Sequence, residues 1–187
     1  MSETASPREH LISLLRQHSL VLGEITLSSG RKSSYYIDAR RTVMRPDGQQ
    51  AAGELIAAHA TGLGATAVGG PVMAAIPLAC AAISVPAGAE LVGFFVRKER
   101  KEHGLQRWVE GGAEPGDRVL VVEDTVTTGG STVSAIERIR DEGFEIAGVL
   151  SLVDRLAGGG ATIAEAADAP YEALTTIDDI YPDRPDR

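Results

Sequence analysis

An α/β fold, with a mostly parallel central sheet flanked by helices, is the architecture this sequence predicts, and three observations carry it. From about residue 46 onward, short aliphatic runs alternate with helical stretches, the order that lays helices over both faces of a parallel sheet. The aliphatic runs 91–96, 119–122 and 146–153 lack polar alternation, as strands buried on both faces do. The second of them leads straight into Glu123-Asp124-Thr125-Val126-Thr127-Thr128-Gly129-Gly130-Ser131. Ligands of open α/β sheets bind beyond the carboxyl ends of the strands, where such a loop must lie.

The elements follow in order. Ser6, Pro7 and Glu9 have the spacing of a capping box with proline in the first turn, and Leu11, Leu14, Leu15 and His18 then share one helical face. The β-prone runs 25–27 and 35–37 flank Ser28-Ser29-Gly30-Arg31-Lys32 and read as a hairpin or a bent pair of strands. An alanine-rich helix is expected over 49–60, a strand over 65–68 and a helix over 74–83. The strand at 91–96 is followed by 99–112, which contains Gly104, Gly111 and Gly112, has no apolar period, and reads as a mobile loop. After the strand at 119–122 comes a helix over about 131–141, ended by Gly143. A strand over 146–153 and a helix over 161–167 complete the series. Residues 181–187 are polar and contain prolines, and are expected to fray.

Composition narrows the function classes. The 187 residues suit one domain, and 43% hydrophobic with 24% charged residues is ordinary for a globular chain. A net charge of −8 argues against non-specific nucleic-acid binding, which selects basic surfaces. Cys80 is the sole cysteine; it has no partner for an intramolecular disulfide and, in an alanine-rich run, is expected to be buried. Residues 1–10 are polar and lack the apolar core of a signal peptide. The longest apolar stretch, 69–85, is interrupted by Pro71, Pro77 and Ser84, so no membrane span is expected and a cytoplasmic location follows by default.

The loop after residue 122 is suited to a phosphate. Thr125, Thr127 and Thr128 supply hydroxyls, Gly129 and Gly130 let backbone N–H groups approach an anion, and the following helix offers its positive end. Glu123 and Asp124 do not suit a site for anions alone; they suit sugar hydroxyls, a Mg2+ ion or a developing cationic centre. A polar turn that merely caps a helix would explain one acid and one glycine, not this set. Neither the nucleotide P-loop pattern nor GxGxxG is present. A second feature, Arg97-Lys98-Glu99-Arg100-Lys101-Glu102-His103-Gly104, gathers four cations and a histidine in an acidic chain. Alone, a charge run reads as a solvated face; directly after a buried strand it suits a departing diphosphate. Asp154 and Arg155 follow another strand, where they could be an ordinary surface ion pair.

Residues 119–131 resemble the phosphoribosyl-diphosphate (PRPP) motif of type I phosphoribosyltransferases, and 97–104 follow the Arg-Lys-Glu-x-Lys-x-His-Gly pattern of the orotate phosphoribosyltransferase family. The resemblance extends to 27–36, to 69–77, to 106–111 and to Val153-Asp154-Arg155. It implies the type I fold as a single domain, with an N-terminal helix and hood over about 1–45 and the core over about 46–187. It implies that Glu123 and Asp124 contact the ribose hydroxyls, and that Thr125, Val126, Thr127, Thr128, Gly129, Gly130 and Ser131 hold the 5′-phosphate. Arg97, Lys98, Lys101 and His103 would bind the diphosphate. The catalytic candidates are Lys101, the strongest, with His103, Glu123 and Asp124. Tyr36, Thr127 and Arg155 would meet orotate, Arg155 through its carboxylate. Mg2+ would be held mainly through PRPP, with Asp124 the candidate protein ligand. The implied assembly is a homodimer whose 99–112 loop closes over the neighbouring subunit's site. Three departures from the family pattern are Ser28, where some members have lysine, Val72-Met73-Ala74, and Glu123 in place of an aspartate. The implied reaction joins orotate to the ribose of PRPP, giving orotidine 5′-monophosphate and diphosphate in pyrimidine synthesis. A purine or other base phosphoribosyltransferase, or a non-catalytic PRPP sensor, would share the PRPP motif; Arg155 and the basic run favour orotate.

Overall fold

The computed structural model describes residues 6–26, 32–99 and 107–187. Helix α1 (Pro7–His18) starts on the expected capping box: Ser6 Oγ accepts from the Glu9 N–H at 3.2 Å, and Glu9 Oε2 accepts from the Ser6 N–H at 2.7 Å. Strands β1 (Leu20–Thr26) and β2 (Lys32–Ile37) form a separate antiparallel pair. Next come α2 (Arg40–Val43), α3 (Pro46–Gly62), β3 (Ala67–Pro71), α4 (Ala75–Ile83), β4 (Val92–Val96) and β5 (Val109–Gly111). The second half runs β6 (Arg118–Val126), α5 (Gly130–Asp141), β7 (Glu145–Asp154), α6 (Gly159–Ala167), β8 (Tyr171–Thr176) and α7 (Ile177–Ile180).

The main sheet has six strands in the order β5-β4-β3-β6-β7-β8, parallel throughout except between β4 and β5. Because strand side chains alternate between faces, β6 feeds two cores. Leu120 and Val122 pack with Leu15, Ile56 and Leu78 of α1, α3 and α4. Val119 and Val121 pack with Ile136, Ile139 and Ile163 of α5 and α6. From β3 the chain winds outward through β4, and from β6 it winds the other way through β7 and β8. The reversal leaves a crevice between the carboxyl ends of β3 and β6, the place where open α/β sheets take ligands.

Four features differ from the sequence expectations. Part of the segment expected to be a loop is β5, while residues 100–106 lie outside the described residues. The β5 edge is fastened from α5's far end: the N–H groups of Trp108 and Val109 both donate to the Glu142 carboxylate, the second at 3.2 Å. Replacing Glu142 by alanine strands both donors and is expected to cost about 1–2 kcal/mol; urea unfolding with no shift in midpoint would exclude that role. Second, Cys80 is exposed. Ala75, Leu78, Ala79, Ala81 and Ala82 are buried in α4, and at 100° per residue Cys80 falls on the side opposite most of them, so alanine richness marked the helix but not its orientation. Third, α2, β8 and α7 were not anticipated; α7 carries its own capping box between Thr176 and Asp179. Fourth, residues 181–187 are pinned: Tyr181 packs against the core, and Arg184 pairs with Asp178 and Asp186.

Candidate active site

Strand β6 does not stop at Val122. It continues to Val126 because β7 runs beside it, with Glu123 opposite Ser151, Thr125 opposite Val153 and Val126 opposite Asp154. The two neighbouring acids therefore leave the strand toward opposite faces. Glu123 turns to the α5 side, where its Oε2 accepts from Ser131 Oγ and Thr132 Oγ1, both at 3.0 Å. Asp124 turns the other way, and its Oδ1 accepts from the Thr125 N–H at 2.7 Å. Burial pushes the Glu123 carboxyl up to about 7, with the Asp124 charge adding to the shift and the Thr132 and Ser131 hydroxyls opposing it. Burial raises Asp124 as well, against the Thr125 N–H and the Arg40 guanidinium. Arg40 is itself paired with Asp38 at 2.7 Å. Neither Asp38 nor Arg40 was singled out from the sequence, where no motif flags them.

Beyond the acids the chain forms a cradle at the start of α5. Gly129 has φ +82°, and a Cβ there would lie 2.9 Å from both Gly159 O and Ile163 Cγ1, so the position excludes larger residues on two counts. At Gly130 an added Cβ would meet nothing within 4 Å, leaving the helix N-terminus open to an approaching anion. Thr127, Thr128, Gly130 and Ser131 are exposed around that opening. Val126 is 1% exposed, so only its backbone can take part. Thr125 Oγ1 is buried with no hydrogen-bond partner among the described residues, an uncommon state for a hydroxyl.

The neighbouring strand end carries Arg155. Its N–H donates to Val126 O at 2.9 Å, and the Gly159 N–H donates to Thr127 O at 3.1 Å, so the loops after β6 and β7 are stitched together. Asp154 is not a surface partner of Arg155. It is buried, accepting from the Leu156 N–H at 2.7 Å and from Tyr171 Oη at 2.9 Å. Burial raises the Tyr171 phenol above its ordinary range, so it stays a donor. Arg155 Nη2 donates to Tyr35 Oη at 3.0 Å. The aromatic that meets Arg155 is thus Tyr35; Tyr36, expected near the base, is half-buried on the other side of β2, within electrostatic reach of Arg40, which also feels the Asp124 carboxylate. The period-2 pattern that buries Tyr35 and Ile37 together was the available signal.

On the opposite flank, Gly70 of β3 lies so close to β6 that a Cβ would fall 2.1 Å from Val122 O. Residues 72–74 form the turn into α4, with Val72 N–H donating to Val96 O at 3.0 Å and the Val72–Met73 peptide cis. Arg97 Nη1 pairs with Glu110 at 3.1 Å, and Arg138 of α5 donates to Arg97 O at 2.7 Å. Lys98 is exposed. Lys101, His103 and Ser28 lie outside the described residues. Among the described residues no group of three or more His, Cys, Asp or Glu side chains is placed to hold a metal. Among them, too, no helix is long and apolar enough to cross a membrane.

A Thr/Gly loop opening at a helix N-terminus, at the switch point of a parallel sheet and bordered by carboxylates and an arginine, is the arrangement of the type I phosphoribosyltransferases. No family model matches the chain. The orotate phosphoribosyltransferase of Corynebacterium glutamicum is 40% identical over 179 residues, covering 96% of each chain. A crystal structure of the Mycobacterium tuberculosis orotate phosphoribosyltransferase in complex with Fe(III) dicitrate aligns with TM-score 0.85 and 39% identity, over 94% of this chain and 99% of that one. The same enzyme in complex with PRPP aligns with TM-score 0.80 and 35% identity over the same shares. The chain belongs to the orotate phosphoribosyltransferase family.

Proposed function

We propose that this enzyme transfers the phosphoribosyl group of PRPP to N1 of orotate, releasing diphosphate. The observation that carries the reading is the stitching of two loops. It sets the cradle at the start of α5 beside Arg155, so a phosphate and a carboxylate can be held at adjacent strand ends. The 5′-phosphate rests on the N–H groups and hydroxyls from Thr125 to Ser131. Asp124 takes ribose hydroxyls, and Glu123, whose Oε2 already holds Ser131 and Thr132, shapes the floor. Thr125 Oγ1, buried with no partner among the described residues, gains one when the cradle fills. Arg155 meets the orotate carboxylate, a charge-assisted contact that a planar guanidinium makes with two parallel bonds. Together these contacts align the nucleophile with ribose C1, the positioning part of the rate enhancement.

Departure of diphosphate leaves positive charge on the ribose and builds negative charge on the leaving group. Arg97, Lys98, Lys101 and His103 neutralise the latter; the resemblance over 97–104 supports this part. Arg97, paired with Glu110, would exchange that carboxylate for phosphate oxygens. The scarcity of converging carboxylates among the described residues fits Mg2+ carried in by the substrate, with water and at most Asp124 completing its shell. When bound there, Mg2+ would offset charge on the leaving diphosphate. The family resemblance further supports a single-domain chain acting as a cytoplasmic homodimer, with the part of the 99–112 segment that precedes β5 serving the partner's site.

The test is orotate's near-UV absorbance on mixing enzyme, PRPP and Mg2+, with uracil and purine bases in parallel. Signal loss that requires both PRPP and metal is expected for orotate alone. Lys101→Ala should reduce turnover about 100-fold or more while PRPP still binds by isothermal titration. Product from another base, with orotate inert, would overturn the assignment of Arg155; loss of PRPP binding in the folded Lys101 variant would overturn that of Lys101.

A further inference from the structure

Arg155 reaches the base side of the site with part of its donor set already committed. Its Nη2 donates to the Tyr35 hydroxyl at 3.0 Å, and the guanidinium carbon lies 5.2 Å from the centre of the Tyr35 ring. On its far side the same hydroxyl meets both oxygens of Asp186, at 3.1 and 3.0 Å. Asp186 belongs to segment 181–187, which is docked on β2: the Tyr181 ring stands edge-on to the Tyr35 ring, with centroids 5.4 Å apart. Arg184 locks the segment, reaching Asp178 with Nη1 and Asp186 with Nε, the latter at 3.2 Å.

The donors and acceptors in this chain permit one order only. A guanidinium can only donate, a carboxylate can only accept, and a hydroxyl has one proton to give. Asp186 therefore draws the Tyr35 proton to itself, and the hydroxyl's lone pairs are left facing Arg155. If residue 186 could also donate, the hydroxyl could turn its proton toward the guanidinium and release it. The remaining guanidinium donors are enough for a carboxylate, since arginine carries five N–H groups in a fixed fork. Arg184, 3.2 Å from Asp186, offsets the negative charge that would otherwise oppose an anionic substrate.

We propose that Asp186 is a positioning residue of the base site, acting through the Tyr35 hydroxyl to hold Arg155 in the orientation that receives the orotate carboxylate. The proposal rests on the reading of Arg155 given above, and its test separates the two. The side chain of Asp186 is 56% exposed, so replacing it does not threaten the core. In steady-state kinetics of the full chain, Asp186→Asn is expected to raise KM for orotate about tenfold, equivalent to about 1.4 kcal/mol. KM for PRPP and kcat at saturation should stay within about twofold, since neither the cradle nor the diphosphate contacts involve this residue. Asp186→Glu should recover most of the loss. Tyr35→Phe should raise KM for orotate comparably, and in that background Asp186→Asn should add nothing further, a coupling that general loosening of the fold would not produce. An unchanged orotate KM in Asp186→Asn, an equal rise in both KM values, or additive effects in the double variant each overturns the proposal. Arg155→Gln reports on the underlying reading. If it leaves KM for orotate unchanged, the base-site assignment fails and the proposal with it. If it raises KM for orotate while Asp186→Asn does not, only the role of Asp186 fails.

Discussion

Gly129→Ala is expected to lower kcat/KM for PRPP about 100-fold or more and to remove about 2–4 kcal/mol of stability. Two separate costs add. The residue holds φ +82°, a region that alanine enters only at a penalty, and the new methyl would stand 2.9 Å from a backbone oxygen, Gly159 O. A flexible side chain could yield; backbone cannot do so without moving the loop. That loop carries the Gly159 N–H that bonds to Thr127 O, so relief of the overlap displaces the cradle itself. Gly130→Ala is the informative neighbour. Its methyl would meet nothing within 4 Å, so its stability should change by about 1 kcal/mol or less, while PRPP affinity falls because the methyl enters the space proposed for the phosphate. Urea unfolding beside PRPP titration separates the two effects. If Gly129→Ala matches the parent in both measurements, the steric account of the cradle is wrong.

Stability should also fall as the pH rises through neutrality, an unusual direction for a carboxylate effect. Glu123 is lifted from its ordinary 4.5 to about 7, chiefly by burial and then by the charge of Asp124. Between those values the folded chain keeps a proton that the unfolded chain has released, so deprotonation favours unfolding. The stabilisation is complete below the lower value and is lost as pH climbs through the upper one. Its size is on the order of 1–3 kcal/mol. Asp124, also raised by burial, acts in the same sense. Glu9, Asp47 and Asp179 are held below their ordinary values, so their opposite contributions are complete before this window opens. The ligand-free protein should show a melting temperature that declines from about pH 5 to about pH 8, and Glu123→Gln should flatten the slope. A slope that survives this substitution would place its origin elsewhere.

How far the sequence could be read depends on what each signal is made of. Local chemistry was legible: the capping box at Ser6 and Glu9 forms as written, and the aliphatic runs that became β4, β6 and β7 needed only their own residues to be recognised. Features decided by a neighbour were not. The end of β6 looked like Val122 because polar residues follow, yet pairing with β7 carries the strand through the acids to Val126. That extension sends Glu123 and Asp124 to opposite faces, which adjacency in sequence conceals. β5 has three residues and β8 is a half-exposed edge strand, Tyr-Glu-Ala-Leu-Thr-Thr; neither offers a clean period, and each exists because a longer strand beside it supplies the partner. The cradle from Thr125 to Ser131 was visible as composition, whereas the bonds among Arg155, Tyr35 and Asp186 join residues 120 and 151 positions apart and leave no local trace.

The two bonds between the loops after β6 and β7 have a consequence for how this molecule can change. Val126 and Thr127 offer their carbonyl oxygens to Arg155 and Gly159, so the chain between residues 155 and 159 is cut to a fixed length by the loop beside it. On the proposed roles of Arg155 and the cradle, an insertion or deletion there cannot retune the choice of base alone, because it drags the sugar-phosphate floor with it. Preference for the base and hold on the phosphoribosyl donor would then be inherited as one unit, with new specificities open to this scaffold through side-chain replacement, not loop grafting.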